Sequence, residues 1–357
     1  MTGTARTALL HDFLRAAGAG AAPPRPLAND ASNRRYLRLT LPGGRPAVVM
    51  DAPPERGEDV RPFLAVTGWL RGLGLSAPEV LAADPAAGFL LLEDLGCDLY
   101  ARVCAADAGA EPALYAAAVD LLADLADHPA PAQMGGWALP PYDAAVLARE
   151  AALAIDWWRP AATGGATPAD LDAAYRAAIA TATAAVAPAR DVVVLRDYHA
   201  ENLIWLPGRT GCARVGLLDY QDALAGHVAY DLVSLLEDAR RDTSAGLRAA
   251  MLARFLDRRG LRGAAADDFS AAYAALGAQR NLKIVGIFAR LAIRDGKPRY
   301  LDLIPRVWDH VMRDLAHPAL APLARLVAAE IPAPGPEALA RAGAAAHAAH
   351  AAPVGAR

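Results

Sequence analysis

Three polar residues near the middle of the chain have the types and spacing that phosphoryl transfer requires. Asp197 is followed by Asn202 after five residues and by Asp219 after a further seventeen. In enzymes that transfer the γ-phosphoryl group of a nucleotide, one Asp orients and deprotonates the acceptor hydroxyl. An Asn and a second Asp hold Mg²⁺ on the nucleotide phosphates. The spacing therefore predicts Asp197 as the catalytic residue and Asn202 and Asp219 as Mg²⁺ ligands.

The segments around these residues predict the elements that bring them together. A short apolar run just before Asp197 predicts a buried strand that leads into a loop. Residues 203–205 and 215–218 are predicted as two further strands, joined by a Pro- and Gly-containing turn at 207–211. A hairpin built in this way returns Asp219 to the neighbourhood of the other two residues.

A polar turn near the N-terminus is a candidate for binding the nucleotide phosphates. Residues 29–33 predict a turn that opens a β-hairpin, and two arginines follow it. Backbone N–H groups of such a turn, together with guanidinium groups, can donate hydrogen bonds to a polyphosphate. The predicted ATP-binding residues are Ser32, Asn33, Arg34 and Arg35. A solvated hairpin would have the same composition, and only the site downstream favours phosphate binding.

A strongly apolar segment, GFLLLEDLG at 88–96, predicts a buried strand that ends in acidic residues and Gly. At the end of such a strand, backbone N–H and C=O groups could bind adenine. This interpretation assigns Glu93 and Leu95 to the ATP site. A buried strand that ends in an ordinary polar turn accounts for the sequence equally well.

Residues in the later part of the chain are candidates for binding an acceptor sugar. Glu150 can accept hydrogen bonds from sugar hydroxyls, and the ring of Trp157 can stack on a sugar face. Gln221 and Arg240 are further candidates for the acceptor pocket. Asp231 stands at the predicted start of a helix, where a carboxylate accepts backbone N–H groups, and is expected to support the loop before it. As structural alternatives, Trp157 would pack in the core and Arg240 would be solvated at a helix end.

Composition argues against several classes of function. With 357 residues and a net charge of −3, the chain has no basic footprint for nucleic acid or an anionic membrane. The three cysteines form no CxxC pair, and no apolar run has the length of a signal-peptide core or a membrane span. A cytoplasmic protein is expected. Motifs of P-loop NTPases, dinucleotide enzymes, zinc proteases and serine hydrolases are missing from the sequence.

The phosphate-hairpin candidate, the hinge-like strand and the Asp197, Asn202 and Asp219 pattern follow one another in the order that the aminoglycoside phosphotransferase family has. The chain resembles this family from about residue 30 to residue 307. Within that family it is most similar to kinases that phosphorylate the anomeric hydroxyl of N-acetylmuramic acid or N-acetylglucosamine. The segments that carry the closer resemblance are DASNRRYLR (30–38), VMDAPP (49–54), PEVLAAD (78–84), GFLLLEDLG (88–96), LDYQDA (218–223), YDLVSLL (230–236) and KIVGIFARLAIRDGK (283–297).

The resemblance implies a protein-kinase-like α+β fold of two lobes. A small antiparallel-sheet N-lobe (1–95) would hold the phosphate hairpin and the hinge. A larger, mostly helical C-lobe (96–330) would hold the catalytic loop and the acceptor pocket. The low-complexity segment 331–357 is predicted to be a tail with little to bury.

The resemblance also implies ATP- and Mg²⁺-dependent phosphorylation of the C1 hydroxyl of an amino sugar. A nucleotidyltransferase would then convert the sugar 1-phosphate to a UDP-sugar in peptidoglycan recycling. The chain is expected to act as a cytoplasmic monomer on a small molecule, without nucleic-acid or membrane partners.

Two positions depart from the family pattern. Leu195 stands where protein kinases have the His that opens the catalytic loop, a position that contributes packing and loop hydrogen bonds. The return strand of the N-terminal hairpin, around residues 47–51, has no Lys to pair with the α- and β-phosphates. Arg34, Arg35 or Arg38 would have to supply that charge. A nucleotide-binding pseudokinase therefore stays open as an alternative, as does a kinase for another small alcohol such as an aminoglycoside or choline.

Overall fold

The computed structural model describes residues 3–20, 23–27 and 33–351 of the chain. Contacts within the chain group its residues into two compact units. The first unit combines Met1–Leu121, Pro131–Leu139 and Leu195–Ala223, and the second combines Leu122–Ala130, Pro140–Val194 and Leu224–Arg357. The stretch that carries Asp197, Asn202 and Asp219 folds with the N-terminal residues, so this grouping differs from the predicted division at residue 95.

Most strands lie in the first unit and most helices lie in the second. The strands are β1 (Arg25–Pro26), β2 (Arg35–Thr40), β3 (Pro46–Asp51), β4 (Val80–Asp84), β5 (Phe89–Glu93), β6 (Gln133–Met134), β7 (Trp137–Ala138), β8 (Val192–Val194), β9 (Leu203–Trp205), β10 (Val215–Leu217) and β11 (Leu224–Gly226). The helices are α1 (Gly3–Ala16), α2 (Arg61–Gly72), α3 (Tyr100–Ala106), α4 (Glu111–Leu125), α5 (Ala144–Ala151), α6 (Arg159–Thr163), α7 (Ala169–Ala182), α8 (Ala229–Leu236), α9 (Ala245–Arg258), α10 (Ala264–Ile293), α11 (Ile304–Leu315), α12 (Ala321–Glu330) and α13 (Pro336–Ala351). Within the described ranges, none of these helices is long and apolar enough to cross a membrane.

A five-stranded antiparallel sheet forms the centre of the first unit, in the order β1-β2-β3-β5-β4. Successive side chains of a strand point to opposite faces, so the sheet has two distinct surfaces. On one surface Leu39, Val49 and Leu91 form a core with Leu10 and Leu14 of α1. Side chains of the residues that alternate with these, such as Arg38 and Val48, lie on the other surface.

Helices make up most of the second unit and pack around α10, which is 30 residues long. It contacts α5, α8, α11 and α13. Its residues Val285 and Ala289 are fully buried in the same core as Trp158 and Val311. The only described strands of this unit, β8 and β11, pair through Val193. A sheet-bearing part and a larger helical part are what the predicted α+β class requires.

The helical segment that carries Glu150 and Trp157 is interrupted. Helix α5 ends at Ala151, and the next turn, Ala154–Trp158, is π-helical. Gly286 of α10 lies against this turn, and a Cβ at that position would stand 2.3 Å from the carbonyl oxygen of Leu153. Close approach of two backbones shapes this segment, and hydrophobic periodicity does not reveal it.

The expectation that the segment after residue 331 has little to bury is wrong for its described part. Helix α13 packs against α6 and α10. Ala338, Ala342 and Ala346 are 7%, 0% and 4% exposed. Their four-residue spacing places them on one face of the helix, so small side chains allow this face to join the core.

Candidate active site

A cavity of about 330 Å³ lies in the first unit, on the sheet surface opposite α1. Arg38 of β2 and Val48 of β3 line it, whereas their chain neighbours Leu39 and Val49 belong to the core with α1. The segment 93–97 forms another part of the wall. Strand alternation therefore separates the structural face of the sheet from the face that can meet a ligand.

The antiparallel pair β9–β10 brings Asn202 and Asp219 to this cavity. Leu203 pairs with Leu217, so Asn202, just before β9, lies beside the chain that leaves β10. The N–H of Leu218 donates to the carbonyl oxygen of Asn202 at 3.0 Å. Both Asn202 and Asp219 line the cavity. The predicted hairpin forms and joins these two residues.

Asp197 is tied to the same group through Asn202. The side-chain Nδ2 of Asn202 donates to the backbone oxygen of Asp197 at 3.0 Å. The N–H of His199 donates to that same oxygen at 3.1 Å, and the N–H of Asn202 donates to the oxygen of His199 at 2.8 Å. These bonds fold the loop into a tight turn that fixes the backbone of Asp197 relative to Asn202.

Left-handed backbone conformations occur at two points of this stretch. Among the described residues other than glycine, only Arg196 (φ 72°) and Asp219 (φ 58°) have a positive φ. Such a conformation costs on the order of 1–3 kcal/mol and persists where the surrounding structure enforces it, most often at functional sites. Because Arg196 directly precedes Asp197, both aspartates are positioned by unfavourable backbone.

Two buried tyrosines hold this backbone in place. The hydroxyl of Tyr198 donates to a backbone carbonyl in α4 at 2.8 Å. Tyr220, which follows Asp219, shares a hydrogen bond with Thr67 Oγ1 at 2.7 Å and stacks on Phe63 with ring centroids 5.1 Å apart. Burial raises the pKa of the Tyr220 hydroxyl. This hydroxyl therefore stays protonated and serves as an anchor rather than as an acid–base group.

The predicted hinge residues Glu93 and Leu95 lie on the cavity wall. The carboxylate of Glu93 is used within the protein, because Oε1 accepts from Arg209 Nη2 at 2.6 Å and Oε2 accepts the N–H of Glu79 at 3.1 Å. Binding of adenine by the backbone of this segment stays a prediction.

The described residues among those predicted for phosphate binding are not on this wall. Ser32 lies outside the described residues. Asn33 and Arg34 both contact Glu58, the former through its N–H at 3.3 Å and the latter through Nε at 2.6 Å. Arg35 pairs with the buried carboxylate of Asp51, at the end of β3. Of the described residues, neither Arg34 nor Arg35 lines the cavity, and their role toward a nucleotide stays a prediction.

Arg38, the third arginine considered as a replacement for the missing Lys, is on the cavity wall. Its Nε lies 2.6 Å from Asp94 Oδ2, and its Nη2 donates to Asp94 Oδ1 at 2.9 Å and to the carbonyl oxygen of Gly96 at 3.1 Å. The sequence predicts Arg38 only as one of three candidates for that charge, and it does not assign Asp94 to the site. Strand alternation, which puts Arg38 on the same face as Tyr36, distinguishes it from Arg35.

Three of the predicted sugar-binding residues belong to the second unit. Glu150 Oε2 accepts hydrogen bonds from Lys283 Nζ at 3.1 Å and from the hydroxyl of Tyr142. Trp157 is half-buried against the helical core. Arg240 is exposed. Their contacts with an acceptor stay predictions.

The other two residues assigned from the sequence occupy different units. Gln221 belongs to the first unit, where its Nε2 donates to Asp219 Oδ1 at 2.8 Å. Asp231 belongs to the second unit, in the first turn of α8, and is 3% exposed. Its placement at a helix start matches the sequence pattern, and its supporting role stays a prediction.

The donor atoms of Asn202 and Asp219 fit a Mg²⁺ ion that arrives with a nucleotide. Mg²⁺ takes oxygen ligands, usually one or two protein groups together with phosphates and water. Over the described part of the chain, no cluster of three or more His, Cys, Asp and Glu residues could hold a metal ion. The Asn202 amide nitrogen is engaged with the Asp197 backbone, which leaves its oxygen as the atom for a cation. Such a set suits a metal that is shared with a phosphate group.

Comparison with known sequences identifies the class of protein. Residues 24–266 match the profile of the phosphotransferase enzyme family. The chain belongs to this family and is a phosphotransferase, which confirms the predicted family and enzyme class.

Two curated relatives that match most of this chain share one name. The chain is 44% identical over 351 residues to an N-acetylmuramate/N-acetylglucosamine kinase of Caulobacter vibrioides, with 87% of this chain and 93% of the relative covered. It is 38% identical over 330 residues to an N-acetylmuramate/N-acetylglucosamine kinase of Pseudomonas aeruginosa, with coverage of 89% and 93%.

Solved structures show the fold. An amicoumacin kinase in complex with AMP-PNP and Ca²⁺ superposes with a TM-score of 0.59 at 15% identity, over 88% of this chain and 96% of that one. A choline/ethanolamine kinase family protein from Mesorhizobium loti gives a TM-score of 0.54 at 14% identity, over 96% and 100%. At these identities the likeness concerns the fold alone, and it confirms the predicted protein-kinase-like class.

Proposed function

We propose that this chain is an ATP- and Mg²⁺-dependent kinase for the anomeric C1 hydroxyl of N-acetylmuramic acid and N-acetylglucosamine. The observation that carries phosphoryl transfer is the placement of Asn202 and Asp219 on one cavity wall, with Asp197 bonded to Asn202. The acceptor class is supported by four relatives at 33–44% identity, all named N-acetylmuramate/N-acetylglucosamine kinase.

The proposed chemistry assigns one role to each residue of this group. The carboxylate of Asp197 accepts the C1 hydroxyl proton while that oxygen forms a bond to the γ-phosphorus. The bond from the γ-phosphorus to its bridging oxygen breaks, and ADP leaves with the electron pair. Asn202 and Asp219 would hold Mg²⁺, which neutralises phosphate charge when it is bound. Because an anomeric hydroxyl is more acidic than an ordinary alcohol, Asp197 acts chiefly by positioning it.

The cellular role follows from the product. A sugar 1-phosphate is the substrate of a nucleotidyltransferase that makes a UDP-sugar, so we place the reaction in peptidoglycan recycling in the cytoplasm. We further propose that the chain acts as a monomer, since all three residues of the catalytic group lie in a single unit of one chain.

An ADP-release screen tests the function. Purified protein with Mg-ATP is given N-acetylmuramate, N-acetylglucosamine, glucosamine, choline or an aminoglycoside. We expect turnover with the two N-acetylated sugars, and we expect Asp197→Asn to lower kcat by roughly 10²- to 10⁴-fold while nucleotide binding is retained. Asp12→Asn is the matched control, because that carboxylate is 64% exposed in a surface pair and contributes little.

The product and the pattern of failure separate the alternatives. A phosphate group that is stable to alkali and labile to acid identifies C1 as the site of transfer. Turnover with choline or an aminoglycoside alone would refute the acceptor class. Mg-ATP binding without ADP release on any acceptor would refute the enzyme and favour a pseudokinase.

A further inference from the structure

Gln221 is a buried polar residue that no step of the proposed reaction uses. It is 7% exposed and stands two residues after Asp219. Its Nε2 donates to Asp219 Oδ1 at 2.8 Å. Its Oε1 is buried as well and accepts no hydrogen bond from the residues that the structure describes.

The two halves of this amide have different energetic consequences. A hydrogen bond to a charged group is stronger than one between neutral groups, and here it also fixes the orientation of the Asp219 carboxylate. A buried acceptor without a donor is destabilising, because it has lost its hydrogen bonds to water. That cost is offset when a bound group supplies the donor, and water held by a metal ion near Asp219 is such a donor.

We propose that Gln221 positions Asp219 for the metal ion and accepts a hydrogen bond from water on that ion. The proposal rests on the proposed function, which supplies the ion. An amide can donate to an ionised carboxylate on one side and accept from water on the other. A glutamate at 221 would place a second negative charge against Asp219. An apolar side chain would neither donate to the Asp219 carboxylate nor accept from water.

The local backbone keeps the two side chains together. Asp219 is in the left-handed conformation, and Tyr220, between the two residues, is held by Thr67 and Phe63. Gln221 therefore reaches back to Asp219 across a fixed turn. A contact that is fixed before the metal arrives acts on metal affinity rather than on proton transfer.

Direct metal binding tests this role without turnover. Mn²⁺ is titrated by electron paramagnetic resonance in the presence of AMP-PNP. We expect Gln221→Met, which preserves length, to weaken Mn²⁺ binding by roughly 10- to 100-fold and to leave AMP-PNP binding without metal unchanged. Gln221→Asn keeps the amide but is one methylene too short, so we expect the same loss. Gln133→Met, at an exposed glutamine in β6, is the matched control and should match the unmodified protein.

Either of two results would overturn the proposal. One is an Mn²⁺ affinity in Gln221→Met and Gln221→Asn that equals that of the control. The other is an equal loss of metal-free AMP-PNP binding, because this would indicate collapse of the cavity instead of a misplaced carboxylate. If the ADP-release screen fails while Mn²⁺ binding is weakened as expected, the proposed function falls and the role of Gln221 stands.

Discussion

Replacing Gly286 with Ala would measure how tightly the π-helical turn Ala154–Trp158 is held against α10. An added Cβ would lie 2.1 Å from the carbonyl carbon of Leu153 and 2.5 Å from the nitrogen of Ala154. Carbon contacts are normally about 3.5–4.0 Å, so one backbone must move by roughly 1 Å or more. Overpacking costs about 1–3 kcal/mol, and a clash with backbone belongs at the upper end. A helical Ala regains up to about 1 kcal/mol, so the expected net loss is about 2 kcal/mol.

Thermal unfolding provides the assay for this loss. In a unit of this size, about 2 kcal/mol lowers Tm by roughly 4–8 °C. Tryptophan fluorescence is a suitable probe because Trp157 and Trp158 lie in the turn itself. Gly343→Ala is the matched control, since this glycine is in helix α13 of the same unit and nothing lies within 4 Å of its added Cβ. Equal Tm values for Gly286→Ala and Gly343→Ala would refute the reasoning.

Two further predictions concern paired charges. Burial and the nearby carboxylate of Glu237 raise the pKa of Asp314, and Asn281 Nδ2 donates to both carboxylates, at 2.6 and 3.0 Å. The resulting stabilisation is complete below the unfolded-state pKa of about 3.9 and is lost as pH rises through the raised folded-state pKa. Asp314→Asn should therefore reduce the fall in the free energy of urea unfolding as pH rises above about 3.9, and an unchanged slope would contradict this. In the cavity, Arg38 engages both oxygens of Asp94. Arg38→Met should free that carboxylate to accept hydrogen bonds from guanine N–H groups. We therefore expect kcat/KM for GTP relative to ATP to rise by about tenfold. The double variant with Asp94→Asn should restore the original ratio, and no change in the single variant would contradict the prediction.

The catalytic stretch can be predicted from sequence because its signals are local. Two short apolar runs flank a turn with Pro and Gly, and they form strands at Leu203–Trp205 and Val215–Leu217. Once these strands pair, the positions of Asn202 and Asp219 beside each other follow from the register. Spacing and strand pairing together therefore predict that Asn202 and Asp219 meet at the cavity wall.

The environment of the N-terminal arginines cannot be read in the same way. Arg34 meets Glu58, 24 residues further on, and Arg35 meets Asp51, 16 residues further on. No periodic pattern indicates which acid a surface arginine will contact after folding. Arg38 differs, because strand alternation alone places it on the ligand-facing surface of the sheet.

The contacts of the catalytic loop explain how a leucine can occupy position 195. Leu195 is 3% exposed, and its carbonyl oxygen accepts the N–H of Asp197 at 2.9 Å, so this position contributes packing and backbone hydrogen bonding. The bonds that fix the loop come from other residues. Asn202 donates to the backbone of Asp197, and the hydroxyl of Tyr198 donates to α4. Since these contacts hold the Asp197 backbone from both sides, an imidazole at 195 would add support that the loop already has. The departure from the kinase pattern at this position is therefore compatible with catalysis by Asp197.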